Sequence, residues 1–396
     1  MHRIARASLL PILGVCLLTC LQAASPQSPP TPAGISAGAD SSASSTGGRV
    51  RAYFIAADEV VWDYAPSGTN LISGQPFNAM EQKWMVAGPH TVGRKLKKAL
   101  YREYTDASFT ALAVRPPAWA HLGFLGPVIR AEVGDTIRVT FRNNATFPAS
   151  VHPHGVFYAK DSEGAPYVDG TSGTDKADDG VPPGGTHVYT WQVPERAGPD
   201  EHEGSTAFWM YHSHTDEDRD VAAGLLGPMI VTRRGMAKPD GSPIDVDREL
   251  VLGFIEVEEN VSWYLDDNIK TYATDPAGIT TRMGAVGQIS VVPEPGTYVK
   301  ETINGYSYGN TPGLTVKLGE RVRWYVMGST NFEFHSPHWH GNVVTIGHMR
   351  TDVGALLPMG MFIADMVPDD AGTWLIHCHV SDHLRMGMQA LYTVTK

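Results

Sequence analysis

The stretch Trp374-Leu375-Ile376-His377-Cys378-His379-Val380-Ser381-Asp382-His383-Leu384-Arg385-Met386-Gly387-Met388 decides how this chain is read. Its apolar lead-in, Trp374 to Ile376, predicts a buried strand, and successive strand side chains point to opposite faces. His377 and His379 therefore share one face, and Cys378 takes the other. A Cys thiolate with imidazoles and a weak axial Met is the ligand set of a blue-copper electron-transfer site. Cys378, His383 and Met388 supply three of its four members, because the chain can loop back once the strand ends. The two outward histidines then serve a second metal site, joined to the first through one residue of backbone.

The remaining ligands lie upstream. Phe334-His335-Ser336-Pro337-His338-Trp339-His340-Gly341 contains the pair His338/His340, with His335 three residues before His338. The parity of His335 is opposite, so it points with Cys378 and supplies the fourth blue-copper ligand. Two more pairs, His152/His154 and His212/His214, occur in Val151-His152-Pro153-His154-Gly155 and Tyr211-His212-Ser213-His214. Together the four pairs present eight imidazoles, an unlikely set for core packing because each buried ring needs its own polar partner.

The clusters recur because the chain repeats itself. Val133-Gly134-Asp135-Thr136-Ile137-Arg138-Val139 is echoed by Leu318-Gly319-Glu320-Arg321-Val322-Arg323-Trp324, and each copy leads to one histidine cluster and later to a second. Segments Gly224 to Val231 and Gly387 to Val394 close the two copies as equivalent strands. Within the first copy, Leu125 to Phe141 predicts a hairpin around Gly134-Asp135. The halves differ at one decisive place. Ser213 stands where Cys378 stands, and Thr215 to Asp218 hold no counterpart of His383 or Met388, so only the second half carries a blue-copper site.

Composition agrees with a turn-rich, all-β chain: 41 glycines and 28 prolines in 396 residues, enough length for two domains. The polar segment Arg233 to Asp247 marks their boundary, which places domain 1 at 49–235 and domain 2 at 236–396. A formal charge of −11 argues against nucleic acid or an anionic membrane as partner. Met1 to Arg6 and the apolar run Leu9 to Leu21 read as a secretory signal over 1–24, too short for a membrane span. Export to a periplasm or the extracellular space follows, with Leu17-Leu18-Thr19-Cys20 as a flawed lipoprotein signal that offers Cys20 for lipid anchoring. Residues 25–48, rich in Ser, Pro, Ala and Gly, read as a disordered linker. Cys378 is then the only free cysteine of the mature domains, which suits metal ligation.

The four clusters, with the pattern His-Cys-His-x3-His-x4-Met, resemble those of the multicopper oxidases, and Ala56-Ala57-Asp58-Glu59-Val60-Val61-Trp62-Asp63-Tyr64 and Glu163-Gly164-Ala165-Pro166-Tyr167 are similar to the ceruloplasmin and hephaestin branch. The resemblance implies two cupredoxin-like Greek-key β-sandwich domains. It implies four coppers per chain: a type 1 copper on His335, Cys378, His383 and Met388, a type 2 copper on His152 and His338, and a type 3 pair on His154, His212, His214, His340, His377 and His379. It further implies oxidation of a small reducing substrate coupled to reduction of O2 to water, with electrons passing from Cys378 to His377 and His379. Short two-domain members of the family suggest a homotrimer with trinuclear clusters between protomers.

Asp382 matches an acidic residue of the iron-oxidising site in that branch, whereas the other acidic and histidine residues are not clearly matched around Pro293 to Glu301. The donor is thus a phenol, an aromatic amine or a low-valent metal ion, in laccase-like or ferroxidase-like chemistry. Met349, Met359, Met361 and Met366 suit packing better than a cuprous substrate. Calcium near Lys160, on Asp175, Asp178 and Asp179, is a further expectation from the branch, set against ordinary turn roles for those residues. The competing readings are a copper-containing nitrite reductase, which needs fewer histidines, and a non-catalytic copper-binding protein.

Overall fold

Alternation of apolar and polar residues sets the strands. In Thr136-Ile137-Arg138-Val139-Thr140-Phe141, Ile137, Val139 and Phe141 are fully buried while Arg138 is exposed, the pattern of a sheet with one face on a core. A computed structural model describes residues 48–283, 289–292, 298–328 and 333–396. The expected signal, Cys20 and nearly all of the linker lie outside them. Among the described residues no helix is long and apolar enough to cross a membrane.

The first half contains β1 (Val50–Asp63), β2 (Lys95–Glu103), β3 (Ile129–Glu132), β4 (Thr136–Asn143), β5 (His152–Pro153), β6 (Phe157–Tyr158), β7 (Thr186–Gln192), β8 (Thr206–His212) and β9 (Leu226–Thr232). They form two sheets, ordered β2-β1-β4-β7-β6 and β3-β9-β8-β5. Ile55, Val139, Phe141 and Trp191 of one sheet meet Ile129, Tyr211 and Val231 of the other in a single core.

The second half contains β10 (Arg248–Glu258), β11 (Thr280–Met283), β12 (Ile289–Val292), β13 (Val299–Ile303), β14 (Thr315–Lys317), β15 (Val322–Gly328), β16 (Pro337–Trp339), β17 (Val344–Ile346), β18 (Met349–Thr351), β19 (Met361–Met366), β20 (Gly372–Cys378) and β21 (Gln389–Thr395). Here the orders are β13-β10-β15-β19-β17-β18 and β14-β21-β20-β16. Apart from the added edge strand β18 and a separate two-stranded sheet β11-β12, each order repeats that of the first half, down to the parallel pairs β1/β4 and β10/β15, and β3/β9 and β14/β21. The duplication seen in the sequence is therefore a duplication of topology, and the all-β, two-sandwich architecture forms as expected.

One local expectation fails. No hairpin joins β3 to β4: β3 pairs with β9, whereas β4 pairs with β1 and β7 in the opposite sheet. Gly134, at φ 93°, turns the chain from one sheet to the other. Asp135 fixes that turn by accepting hydrogen bonds from the backbone N–H groups of Glu132 and Arg49 and from Arg51 Nε. The reason is the core: both strands have an apolar face, and each needs a facing sheet more than it needs the other.

A separate apolar cluster joins the sandwiches. Phe208, Met210, Leu226 and Ile230 on β8 and β9 pack with Val251, Ile255, Tyr325 and Met327 on β10 and β15. This explains why β15 is buried at every position: both of its faces are covered. Residues 233–247 link β9 to β10.

Four short helices complete the description: α1 (Gln82–Met85), α2 (Glu217–Ala223), α3 (Leu265–Tyr272) and α4 (Ser381–Met386). Helices α2 and α4 are counterparts. Each follows a His-x-His pair and ends at a left-handed glycine, Gly224 at φ 117° and Gly387 at φ 116°, before the closing strand. The chain after Cys378 thus returns through a short helix of six residues.

Candidate metal centre

Strand register builds the two histidine sets. His152 on β5 lies directly across from His212 on β8, and His338 on β16 lies across from His377 on β20. In the first set the ring centroids of His152, His154, His212 and His214 stand 5.1–5.6 Å apart. In the second, His338, His340, His377 and His379 stand 4.6–5.3 Å apart. Among the described residues, these ring contacts stay within each tetrad, so one chain presents two half-sites.

Backbone carbonyls orient the rings. His152 Nδ1 meets Glu163 O at 2.6 Å, His212 Nδ1 meets Ser213 O at 3.1 Å, His338 Nδ1 meets Asp352 O at 2.9 Å and His377 Nδ1 meets Cys378 O at 2.7 Å. A carbonyl only accepts, so each Nδ1 carries the hydrogen and each Nε2 keeps a free lone pair. The lone pairs converge: Nε2 of His154 and His212 lie 3.1 Å apart, and Nε2 of His340 and His377 also 3.1 Å apart. Burial lowers the pKa of His154 to about 4, helped by His152 and His214, and lowers those of His152, His212, His340 and His377 as well. Neutral imidazoles with converging lone pairs fit divalent metal ions.

The opposite face of β20 carries the third group. Cys378 Sγ lies 3.5 Å from His383 Nδ1 and 3.9 Å from His335 Nδ1, and the two nitrogens are 3.2 Å apart. All three residues are buried, as is Met388, which packs in the same core as Cys378. Ser336 N–H donates to the sulfur at 3.3 Å. Burial raises the Cys378 thiol and lowers His335 to about 3, so the charged thiolate requires a cation beside it. A soft sulfur with two imidazoles fits copper. His335, Cys378 and His383 are thus brought together as the parity argument expects.

In the first half the corresponding place is closed by hydrogen bonds. Ser213 Oγ donates to Asp220 Oδ2 at 2.6 Å, Trp263 Nε1 donates to Asp220 Oδ1 at 2.8 Å, and Ser150 N–H donates to Ser213 Oγ at 3.0 Å. Burial raises Asp220 to about 6.

Three carboxylates near the sites escape the sequence reading. Glu256 on β10 and Glu301 on β13 are direct cross-strand partners, and each has a carboxylate oxygen 3.9 Å from His383 Nε2. Like charges opposite each other destabilise a sheet, and burial with Glu256 alongside raises Glu301 well above the usual carboxylate range. No local pattern marks them, since β10 also carries Arg248, Glu249 and Glu258 and β13 carries Lys300 and Thr302; only the pairing of the strands makes them legible. The third, Glu217, touches the first tetrad. Asp382, the acidic residue expected at the site, is instead exposed and lies 3.7 Å from Arg385.

The calcium carboxylates are spread among other partners. Asp175 is exposed and Asp179 lies 3.2 Å from Lys176. Asp178 is buried, its Oδ2 accepts from Gly164 N–H at 2.7 Å, and its Oδ1 has no hydrogen-bond partner. Lys160 pairs with Glu163 and Asp169.

Two β-sandwiches bearing a buried thiol–imidazole group and two imidazole tetrads define a protein built to bind copper. Comparison with known proteins makes that specific: two family models described as multicopper oxidase match residues 114–235 and 285–396, together more than half of the chain. The chain belongs to the multicopper oxidase family. It is 43% identical over 354 residues to hephaestin of Mus musculus, covering 88% of this chain and 30% of that protein. It is 42% identical over 353 residues to ferroxidase HEPHL1 of Mus musculus, covering 88% and 29%, and 38% identical over 347 residues to ceruloplasmin of Rattus norvegicus, covering 87% and 32%. The chain thus spans about 30% of the length of the curated relatives it matches. Among solved structures, a multicopper oxidase aligns with a TM-score of 0.53 at 18% identity, over 87% of this chain and 89% of that one. A blue copper oxidase from Nitrosomonas europaea aligns at 0.52 and 18%, over 88% and 85%. These structures share the fold.

Proposed function

We propose that this chain oxidises a reducing substrate one electron at a time and couples four such steps to the reduction of O2 to two waters. The reading takes four coppers per chain: type 1 on His335, Cys378, His383 and Met388, type 2 on His152 and His338, and a type 3 pair on His154, His212, His214, His340, His377 and His379. The observation that carries it is Cys378, whose sulfur faces His335 and His383 at 3.9 and 3.5 Å while its neighbours His377 and His379 belong to the second tetrad. Copper held by His335, Cys378, His383 and Met388 would supply the one-electron chemistry. The chain supplies the rest: one residue of backbone links the two sites, carbonyls hold the imidazoles in the metal-binding tautomer, and burial of Cys378 keeps water from its sulfur.

The type 2 ligands come from different tetrads, which favours a head-to-tail ring of three protomers that sets the first tetrad of one chain against the second tetrad of the next. An exposed apolar residue beside the second tetrad, Val343, supports such a contact.

For the donor, Glu256 and Glu301 favour a small cation over a neutral phenol. Two carboxylates against one imidazole are stabilised by a positive charge between them, and a ferroxidase is among the relatives. Asp382 then serves as an outer acidic residue on the approach to His383. Laccase-like oxidation of phenols is the alternative outcome. The signal-like N-terminus supports export, and Asp178, with its unpartnered buried oxygen, supports a calcium ion.

Copper quantitation with optical and electron paramagnetic resonance spectra tests the class: four coppers per chain, one of them blue, are expected. Oxygen uptake with Fe(II) and with a phenol then identifies the donor. A fully loaded, active monomer by light scattering overturns the ring.

A further inference from the structure

The two tetrads share a strand register but not the hydrogen bond that follows it. His152 pairs with His212 and His338 with His377, so two residues further along Ser150 stands opposite His214 and Ser336 opposite His379. In the second half the backbone closes this step: His379 N–H donates to Ser336 O at 2.8 Å. In the first half it does not. His214 N–H donates at 3.0 Å to the hydroxyl of Ser150 instead, and the Ser150 carbonyl accepts from Tyr101 Oη at 2.5 Å. The two serines are otherwise equivalent, since Ser150 N–H donates to Ser213 Oγ and Ser336 N–H to Cys378 Sγ.

The hydroxyl of Ser150 has one hydrogen, and it goes to Gly164 O at 2.6 Å because a carbonyl only accepts. An oxygen lone pair is left to hold His214. Ser150 is fully buried, so removing the hydroxyl leaves a donor and an acceptor unpaired in the core. The neighbouring carbonyl, Glu163 O, holds the ring of His152 at 2.6 Å, so the consecutive carbonyls of residues 163 and 164 steady two members of one tetrad. Ser336 Oγ has no such task. It lies 3.4 Å from Gly354 O, and its loss leaves the backbone bond to His379 in place.

We propose that Ser150 is a positioning residue of the first tetrad: its hydroxyl stands in for a ladder carbonyl and sets where His214 presents its imidazole to copper, a task the second half leaves to the backbone. This inference rests on reading the tetrads as copper sites.

The test dialyses full-length, copper-loaded protein against rising chelator and follows copper per chain, the blue band and the electron paramagnetic resonance spectrum together. Ser150→Ala is expected to release the coppers beyond the blue one at a chelator concentration at least about tenfold below the parent's, as loss of a partner behind a metal ligand does, and to change the resonance signal of those coppers. Its blue band, carried by the other half, should persist to the parental concentration, which shows the variant folded. Ser150→Thr keeps the hydroxyl and Ser336→Ala removes the other one; both are expected to hold copper as the parent does. Parental retention by Ser150→Ala, even with a lower thermal midpoint, overturns the positioning role and leaves the tetrad reading standing, and so does equal weakening by Ser336→Ala. Where Ser150→Ala does not fold, a folded Ser150→Thr that sheds copper early overturns the role by itself. A parent that holds only the blue copper overturns both.

Discussion

Cys378 Sγ and His383 Nδ1 lie 3.5 Å apart although Cys378 ends strand β20 and His383 sits inside helix α4. The turn between them brings a thiol and an imidazole to one point in the core, where burial keeps both uncharged until a cation arrives.

Cys378→Ser removes the only sulfur ligand contributed by a cysteine. The blue absorption band is expected to vanish and oxygen uptake to fall to background, while three of the four coppers remain bound. Measured turnover near that of the parent would disprove the route through Cys378.

Ser213→Cys does not create a second blue site, because no His or Met follows it as His383 and Met388 follow Cys378. It weakens the hydrogen bond to buried Asp220, now 2.6 Å, and stability should drop by about 1–3 kcal/mol. Thermal unfolding and an optical spectrum of the variant check both statements.

Glu301→Gln removes an oxygen 3.9 Å from His383 that takes up negative charge only when a cation offsets its burial and the nearby Glu256. If the donor is Fe(II), KM for iron should rise about tenfold, equivalent to about 1.4 kcal/mol, while turnover of a neutral phenol changes little. Equal effects on both substrates would mean that the pair serves the copper site alone.

His121 makes the stability of the molecule sensitive to acid. Its Nε2 accepts the Val251 N–H of β10 at 3.1 Å, and its carbonyl accepts from Asn304 Nδ2 at 2.6 Å, so it ties the first half to the second. Burial lowers its pKa from 6.5 to about 4, with Arg115 and Arg248 adding repulsion. The unfolded chain therefore takes up the proton first as pH falls. Stability is fully present above about 6.5 and is lost between there and about 4, by about 3 kcal/mol in total. Urea midpoints of copper-loaded protein across that range should decline, and His121→Gln should flatten the decline.

Ligand parity along single strands was legible in the sequence because a strand alternates with period two whatever it pairs with. The opposite faces of Cys378 and its neighbouring histidines, the place of His335, and Ser213 as the altered copy of Cys378 all follow from that rule. The duplication was legible for a similar reason, since each half repeats its apolar pattern. Which sheet a strand joins was not: Leu125 to Phe141 has the pattern of a hairpin, yet β3 and β4 lie in opposite sheets, because core burial outweighs local pairing.

The chain's own order of residues thus determined which His and Cys side chains share a strand face, which depends on local geometry. Only the tertiary structure decided which of these side chains meet. Glu256 and Glu301 are 45 residues apart in sequence and become neighbours through the register of β10 and β13, while Asp382, one residue from His383, is exposed and lies 3.7 Å from Arg385. The tetrads likewise remain two half-sites among the described residues, because each is built by pairing within its own sheet. Long-range pairing carries no signature in a local pattern, since it is set by the packing of whole sheets.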